Sequence, residues 1–152
     1  MPYTPEELSD RTDILDVIHR YAWSIDTRDW DALDTCFTED AFVDYSSNPG
    51  GTSGPYREVR GWLEQNLAAF VVMQHLMVNT EVRLDGDRAA ARTMMVNPMG
   101  ARTREGPPHF FYIGGRYDDD FQRTSDGWRI ARRVETLLWF QGTLPRELIT
   151  ET

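Results

Sequence analysis

Asp26 and His75 are the two residues of this sequence that could together move a proton. A carboxylate on one imidazole nitrogen fixes the tautomer of the ring and leaves the other nitrogen to accept a proton. Asp26 ends a helical pattern, where its charge opposes the negative end of the helix dipole, and such local conflicts are typical of functional sites. The alternative for His75 is a core histidine bonded to backbone. The pairing favours a general base that Asp26 orients.

Tyr21 and Tyr45 are candidates for the groups that stabilise negative charge. Their phenols could donate to an oxyanion or to a leaving hydroxyl. The alternative for each is a packing tyrosine with a satisfied hydroxyl. Arg133 could face inward and hold a leaving group or a carboxylate, or it could be solvated or pair with an aspartate at 118–120.

An apolar pocket would surround these groups, and the sequence offers aromatic and sulfur-containing side chains to line it. The candidates are Trp23, Trp62, Phe70, Met73, Met77, Met95, Met99, Phe111 and Trp139, with Asn97 as a polar contact. The histidines lack metal-ligand spacing, and there is no phosphate loop, nucleophile elbow or dinucleotide fingerprint. We therefore expect neither a metal nor a cofactor.

Three helices are predicted in the first seventy residues. Thr4 can cap a first helix whose apolar residues recur at helical spacing to about Asp26. Asp29 can cap a second helix that runs to Phe37. A third helical pattern lies between Val59 and the residue at 70. These helices would bring the end of the first one, and with it Asp26, to the edge of the following strands.

The apolar period changes to two after residue 72, which is typical of β-strands. The predicted strands are 41–45, 74–84, 88–97, 109–123 and 128–140, with a bulge or bend at Gly114 and Gly115. The segment 46–55 is either an entrance loop or lid, or a disordered excursion; 98–108 is a loop and 145–152 a tail. Helices followed by long strands make an α+β domain over 1–152. We expect a cone-shaped roll, in which a strongly curved, mainly antiparallel sheet surrounds three helices and an apolar pocket.

Composition narrows the range of partners. The 152-residue chain has a formal net charge of −9 and lacks the basic footprint that nucleic acids and anionic membranes require. The single cysteine, Cys36, excludes an intrachain disulfide, and the acidic N-terminus does not resemble a signal peptide, so we expect a cytoplasmic protein. Residues 137–140 are too apolar for both strand faces to be solvated, which predicts a homodimer or higher homo-oligomer on the outer sheet face.

Several segments carry a resemblance to a known family. They are residues 1–45, the strand around His75, Asp85-Gly86-Asp87-Arg88-Ala89, Gly115-Arg116-Tyr117-Asp118-Asp119 and Asp126-Gly127-Trp128-Arg129-Ile130. In them the chain resembles the SnoaL-like branch of the nuclear transport factor 2-like superfamily. The resemblance implies the cone fold and leaves the reaction open among dehydratases, isomerases, cyclases, dehydrochlorinases and non-catalytic subunits.

Scytalone dehydratase is similar in two of these segments. The resemblance places its helix-end aspartate on Asp26, a pocket tyrosine on Tyr45 and one of its catalytic histidines on His75. Its second catalytic histidine falls on or near Met99, and this departure argues against scytalone as the substrate.

Other members of the superfamily resemble the chain at further positions. The bile-acid dehydratases have a tyrosine at the position of Tyr21, and lindane dehydrochlorinase has an arginine at that of Arg133. Ketosteroid isomerase matches at Tyr21, but its general base falls on Tyr45, which disfavours ketosteroid-type isomerisation.

We therefore expect a cofactor-independent lyase or isomerase of the dehydratase type. Its substrate would be a small apolar oxygenated compound such as a polyketide, terpenoid, steroid or aromatic. His75 would remove a proton beside a carbonyl, and Tyr21 or Tyr45 would stabilise the enolate or help water leave. The alternative is a ligand-binding protein, or an assembly subunit like the small subunit of ring-hydroxylating dioxygenases. A hydrogen-bonded Asp26–His75 pair that faces an open cavity would favour the enzyme.

Overall fold

The computed structural model describes residues 2–143, so the predicted tail at 145–152 lies outside the described residues. Helix α1 (Pro5–Thr27) begins with the expected capping box. The backbone N–H of Glu7 donates to Oγ1 of Thr4 at 3.1 Å, and the backbone N–H of Thr4 donates to Oε2 of Glu7 at 2.7 Å. The helix ends because Arg28 adopts the left-handed conformation, with φ of 57°.

Helix α2 (Trp30–Asp34) is shorter than expected. Asp29 caps it as predicted, since its Oδ1 accepts from the backbone N–H of Ala32 at 3.0 Å. Phe37, which we expected in this helix, instead begins strand β1 (Phe37–Asp44). Phe37 pairs with Ile130 in a parallel ladder, and this contact between distant parts of the chain overrides the local helical spacing.

Two short elements follow β1 before the long strands. Strand β2 (Ser53–Pro55) pairs with β1 in antiparallel fashion. Helix α3 (Tyr56–Asn66) continues into a 3-10 turn at 67–69 and then strand β3 (Phe70–Met73). Phe70 therefore opens a strand, where the sequence predicted the end of a helix.

The remaining strands form the main part of the sheet. They are β4 (Leu76–Asp85), β5 (Arg88–Ala101), β6 (His109–Thr124) and β7 (Gly127–Gln141). The sheet order is β2-β1-β7-β6-β5-β3, and β4 also pairs with β5. Every pairing is antiparallel except that of β1 with β7. The expected bulge at Gly114 and Gly115 is confirmed, because their partners on β7 are Trp139 and Leu137.

The core lies between α1 and the concave face of the strongly curved sheet. The helix buries Ile14, Ile18, Tyr21 and Ile25 at three- and four-residue spacing. Cys36 is also buried, and burial raises the pKa of its thiol to about 11, as expected for a small hydrophobe. The α+β roll predicted from the sequence is therefore confirmed. Among the helices within residues 2–143, none combines the length and the hydropathy needed to cross a membrane.

Candidate active site

Asp26 and His75 are joined by two hydrogen bonds. Nδ1 of His75 lies 2.6 Å from Oδ1 of Asp26, and the backbone N–H of His75 donates to Oδ2 at 2.8 Å. The side chains are 8% and 17% exposed for His75 and Asp26, respectively. Because Asp26 occupies Nδ1, Nε2 is the ring nitrogen left for a substrate.

The position of His75 differs from the expected strand. His75 lies between β3 and β4, so its backbone N–H is not used by a strand neighbour and is available to Asp26. The guanidinium of Arg28 donates to the carbonyl oxygens of Leu67 and Phe70, and it ties the end of α1 to the segment that leads to His75. The helix end thus positions both members of the pair.

A cavity of about 190 Å³ opens beside His75. Asp26 does not line it and lies behind the imidazole. The lining is mostly apolar with a few polar side chains, as in small-molecule sites. It includes Tyr21, Ile25, Tyr45, Asn48, Trp62, Leu63, Leu67, Phe70, His75, Asn97, Met99, Phe111, Ile113, Tyr117, Glu135 and Phe140.

Three tyrosines meet at one side of this cavity. The hydroxyls of Tyr21 and Tyr45 lie 2.8 Å apart, and the rings of Tyr21 and Tyr117 form an edge-to-face contact at 5.7 Å. Burial raises the pKa of each phenol above its ordinary value. The phenols therefore stay neutral and retain protons that they can donate in hydrogen bonds.

Arg133 is buried behind the tyrosines and does not line the cavity. Its Nε and Nη2 each lie 2.7 Å from an oxygen of Asp119. Its guanidinium carbon is 3.9 Å from the centre of the Tyr21 ring and 4.2 Å from that of Tyr117. The structure thus places Arg133 in an ion pair with an aspartate, which was the alternative expectation. The expected contact between Arg133 and a substrate is wrong, and Arg133 instead supports the tyrosines from behind.

The expected lining residues divide into two groups. Five of them line the cavity: Trp62, Phe70, Asn97, Met99 and Phe111. Trp23 does not, because it lies on the exposed side of α1 and is 71% exposed. Met77 packs against the core on β4, and Trp139 is 45% exposed on the outer sheet face, against Gly114. Met95 and Met73 are likewise packed in the core, so these five residues were wrongly expected at the pocket.

Glu135 is a cavity residue that the sequence reasoning missed. It is 7% exposed, and burial raises the pKa of its carboxyl while Asn48, His75 and Arg133 oppose that rise. The alternation of β7 contained a signal, because Arg133 and Glu135 are two residues apart and must share a strand face.

The loop at 46–52 forms part of the cavity wall through Asn48, Pro49 and Gly50. Ser47 anchors it to β7, since its hydroxyl donates to the carbonyl oxygen of Glu135 at 2.9 Å and accepts from the backbone N–H of Leu137 at 2.9 Å. This ordered arrangement favours the entrance-loop interpretation over a disordered excursion. Across residues 2–143, no group of three or more histidine, cysteine, aspartate or glutamate side chains could hold a metal ion.

Comparison with known proteins establishes the family. Residues 6–134 match the SnoaL-like domain, and the chain belongs to this family. The uncharacterized protein Rv2910c of Mycobacterium tuberculosis (strain ATCC 25618 / H37Rv) is 45% identical over 133 residues, which cover 86% of each chain.

Many solved structures share the fold, and two of them show a range of sequence identity. One is a protein of Novosphingobium aromaticivorans that was assigned as an aromatic ring hydroxylase without proof of that activity. It is 29% identical, with a TM-score of 0.81 over 93% of this chain and 97% of its own. The other is a hexachlorocyclohexane dehydrochlorinase, which is 17% identical with a TM-score of 0.74 over 90% of each chain. The likeness to the dehydrochlorinase therefore concerns the fold alone.

Proposed function

We propose that this protein is a cofactor-independent lyase or isomerase that begins its reaction by removing a proton beside a carbonyl group. The observation that carries the proposal is the bond between Nδ1 of His75 and Asp26 at 2.6 Å, with the imidazole at a cavity wall. This arrangement is that of an oriented general base.

The neighbouring groups suit the charge that such a step creates. Proton removal beside a carbonyl places negative charge on the carbonyl oxygen, which neutral hydroxyl donors stabilise. Tyr21 and Tyr45 bond to each other at 2.8 Å, so one hydroxyl proton is used between them and the other can reach the substrate oxygen. Asp26 stabilises the imidazolium that forms on His75.

The cavity size supports a compound with about one substituted ring. An apolar cavity of about 150 Å³ holds benzene, and this cavity encloses about 190 Å³. Its walls are mainly aromatic and aliphatic, with Phe70, Phe111 and Phe140 at one end. Among the expected substrate classes, a small aromatic compound therefore fits better than a whole steroid. The dehydrochlorinase among the structural neighbours shows that an elimination enzyme has this fold.

Deuterium exchange tests the proposal without knowledge of the final product. Small aromatic ketones are incubated with the protein in heavy water, and deuterium uptake beside the carbonyl is followed by NMR. The wild type should catalyse exchange, and His75→Ala should lose it by roughly 10²-fold or more. Exchange that survives in His75→Ala would overturn the role of His75 as the base. Exchange that is absent from the wild type with every ketone would favour the non-catalytic ligand-binding alternative.

A further inference from the structure

We propose that Glu135 is the acid that protonates the leaving group, and that the substrate is a β-hydroxy carbonyl compound which this site dehydrates. The inference rests on the proposed role of His75 as the base and supplies the second half of the reaction. It narrows the substrate to one with a hydroxyl on the second carbon from the carbonyl carbon.

Glu135 and His75 reach the same cavity from separate strands. Glu135 lies on β7, whereas His75 lies in the short connection between β3 and β4. Strands β5 and β6 lie between β3 and β7 in the sheet. Both side chains line the cavity, so a bound ligand can contact the two of them at once. One group can therefore take a proton from the ligand while the other gives a proton to it.

The surroundings of Glu135 favour the protonated carboxyl. Its side chain is at the cavity wall and 7% exposed, opposite Tyr117 on the neighbouring strand. Burial raises the pKa of Glu135. Arg133 shares the inner face of β7, but two of its nitrogens already bond to Asp119, so its charge is balanced there. A carboxyl held neutral in this way can donate a proton near neutral pH.

The proposed reaction conserves atoms and electrons. Nε2 of His75 takes the proton beside the carbonyl, and the electron pair of the broken C–H bond forms an enolate that Tyr21 or Tyr45 stabilises. The enolate electrons then form the carbon–carbon double bond as the β carbon–oxygen bond breaks. Glu135 gives its proton to the departing oxygen, which leaves as water. The imidazolium finally loses a proton to solvent and Glu135 regains one, so both groups return to their starting states.

A Glu135 that is ionised at neutral pH would imply other roles. It could carry a proton between two carbons, as in an isomerase, or bind a cationic ligand. His75 lines the same wall and favours the carboxylate, but the largest influence on the pKa of Glu135 is its burial among neutral phenol, amide and hydrocarbon groups. These groups stabilise a carboxylic acid better than an isolated carboxylate.

A pair of probes that differ in the leaving group tests the proposal. One is the β-hydroxy ketone formed from benzaldehyde and acetone, which must lose water. The other is its β-chloro analogue, whose chloride needs no proton to leave; its uncatalysed elimination is subtracted. Formation of the conjugated ketone is followed by absorbance, and deuterium exchange is measured in parallel. Glu81→Gln is the matched control, because Glu81 is exposed on β4.

Glu135→Gln should lose water elimination by roughly 10²-fold or more. It should keep deuterium exchange and chloride elimination within a few-fold of the wild type, while His75→Ala loses all three reactions. Near-normal water elimination by Glu135→Gln would overturn the role of Glu135 and leave that of His75 intact. If His75→Ala instead keeps all three reactions, the proposed role of His75 as the base is overturned.

Infrared difference spectroscopy gives a second answer that needs no substrate. The spectrum of the wild type minus that of Glu135→Gln at neutral pH isolates the absorption of this one side chain. A protonated carboxyl band is the expected result. An ionised carboxylate band in its place would overturn the acid role, whether or not either ketone is turned over.

Discussion

Arg133 and Asp119 form a two-pronged ion pair in which Nε and Nη2 each lie 2.7 Å from a carboxylate oxygen, and neither side chain is exposed. The guanidinium lies against the rings of Tyr21 and Tyr117. The pair therefore supports the tyrosine side of the cavity from within the core. Its charges are far from water, so each depends on the other for compensation.

Loss of one partner of this pair should destabilise the fold strongly. Asp119→Asn or Arg133→Met should each lower the free energy of unfolding by about 3–5 kcal/mol, because one buried charge is left alone. The double variant should lose less than the sum of the two. Urea denaturation measures all three.

The next residues along the same two strands provide a matched control. Arg132 and Asp120 lie 4.0 Å apart with side chains 53% and 62% exposed. Asp120→Asn should cost less than about 1 kcal/mol, since water screens this pair. Equal losses in Asp119→Asn and Asp120→Asn would contradict the distinction between the buried and the surface pair.

The Asp26–His75 dyad should behave as one unit in catalysis. His75→Ala, Asp26→Asn and the double variant should lose similar amounts of deuterium exchange, each on the order of 10²-fold or more. His19→Ala, an exposed substitution on α1, should retain full exchange. Losses that simply multiply in the double variant would indicate two independent residues.

Glu135 should make the stability of the fold depend on pH in a defined direction. Burial raises the pKa of Glu135 in the folded state above its ordinary value of 4.5, which applies to the unfolded state. In the pH window between these two pKa values, the folded state binds the proton more tightly than the unfolded state. The stabilisation that the bound proton provides is complete at a pH below the ordinary pKa. It is lost as the pH rises through the pKa of Glu135 in the folded state. The free energy of unfolding of Glu135→Gln should therefore rise relative to that of the wild type as the pH increases. The difference should grow by up to about 1.4 kcal/mol for each pH unit within the window.

Urea denaturation of both proteins at a series of pH values measures this difference. Glu81→Gln serves as the exposed control, and its difference from the wild type should stay flat. Parallel stability curves for the wild type and Glu135→Gln would mean that burial does not favour the protonated carboxyl.

The outer sheet face should form a homodimer or a higher homo-oligomer. Leu138 and Trp139 on β7 are 47% and 45% exposed, and Phe110 and Tyr112 on β6 are 48% and 41% exposed. A contiguous apolar surface of this kind favours burial against a second copy. Light scattering at micromolar concentration should report an oligomer, and Leu138→Asp should shift it toward the monomer. A monomeric wild type would contradict this prediction.

Local sequence patterns predicted most of the fold because the helices and the long strands each carry their own period. The cap at Thr4 and the bulge at Gly114 and Gly115 follow from residue chemistry and agree with the structure. The strand at Phe37 does not follow from local pattern, since its pairing with Ile130 forms only when both ends of the chain meet.

The candidate site was only partly predictable for similar reasons. Asp26 and His75 could be paired by residue type, but the second bond, from the backbone N–H of His75 to Asp26, depends on a break between two strands. Trp23 was expected at the pocket as an aromatic side chain, but residue type alone does not tell which side of the helix it occupies. At about 3.6 residues per turn, it lies on the opposite side of α1 from Tyr21. Whether an inner-face residue such as Glu135 reaches a cavity is decided by sheet curvature, which no short segment encodes.

The two bonds between Asp26 and His75 differ in one respect. The bond from Nδ1 belongs to the imidazole, whereas the bond from the backbone N–H would exist with almost any residue at this position. The position of the backbone and the reactivity of the side chain can therefore be separated. In His75→Gly the backbone N–H at position 75 should still bond to Asp26, and removal of the side chain should leave a cavity the size of an imidazole beside Oδ1. Free imidazole added to that variant is expected to occupy this space, be oriented by the same carboxylate and restore deuterium exchange.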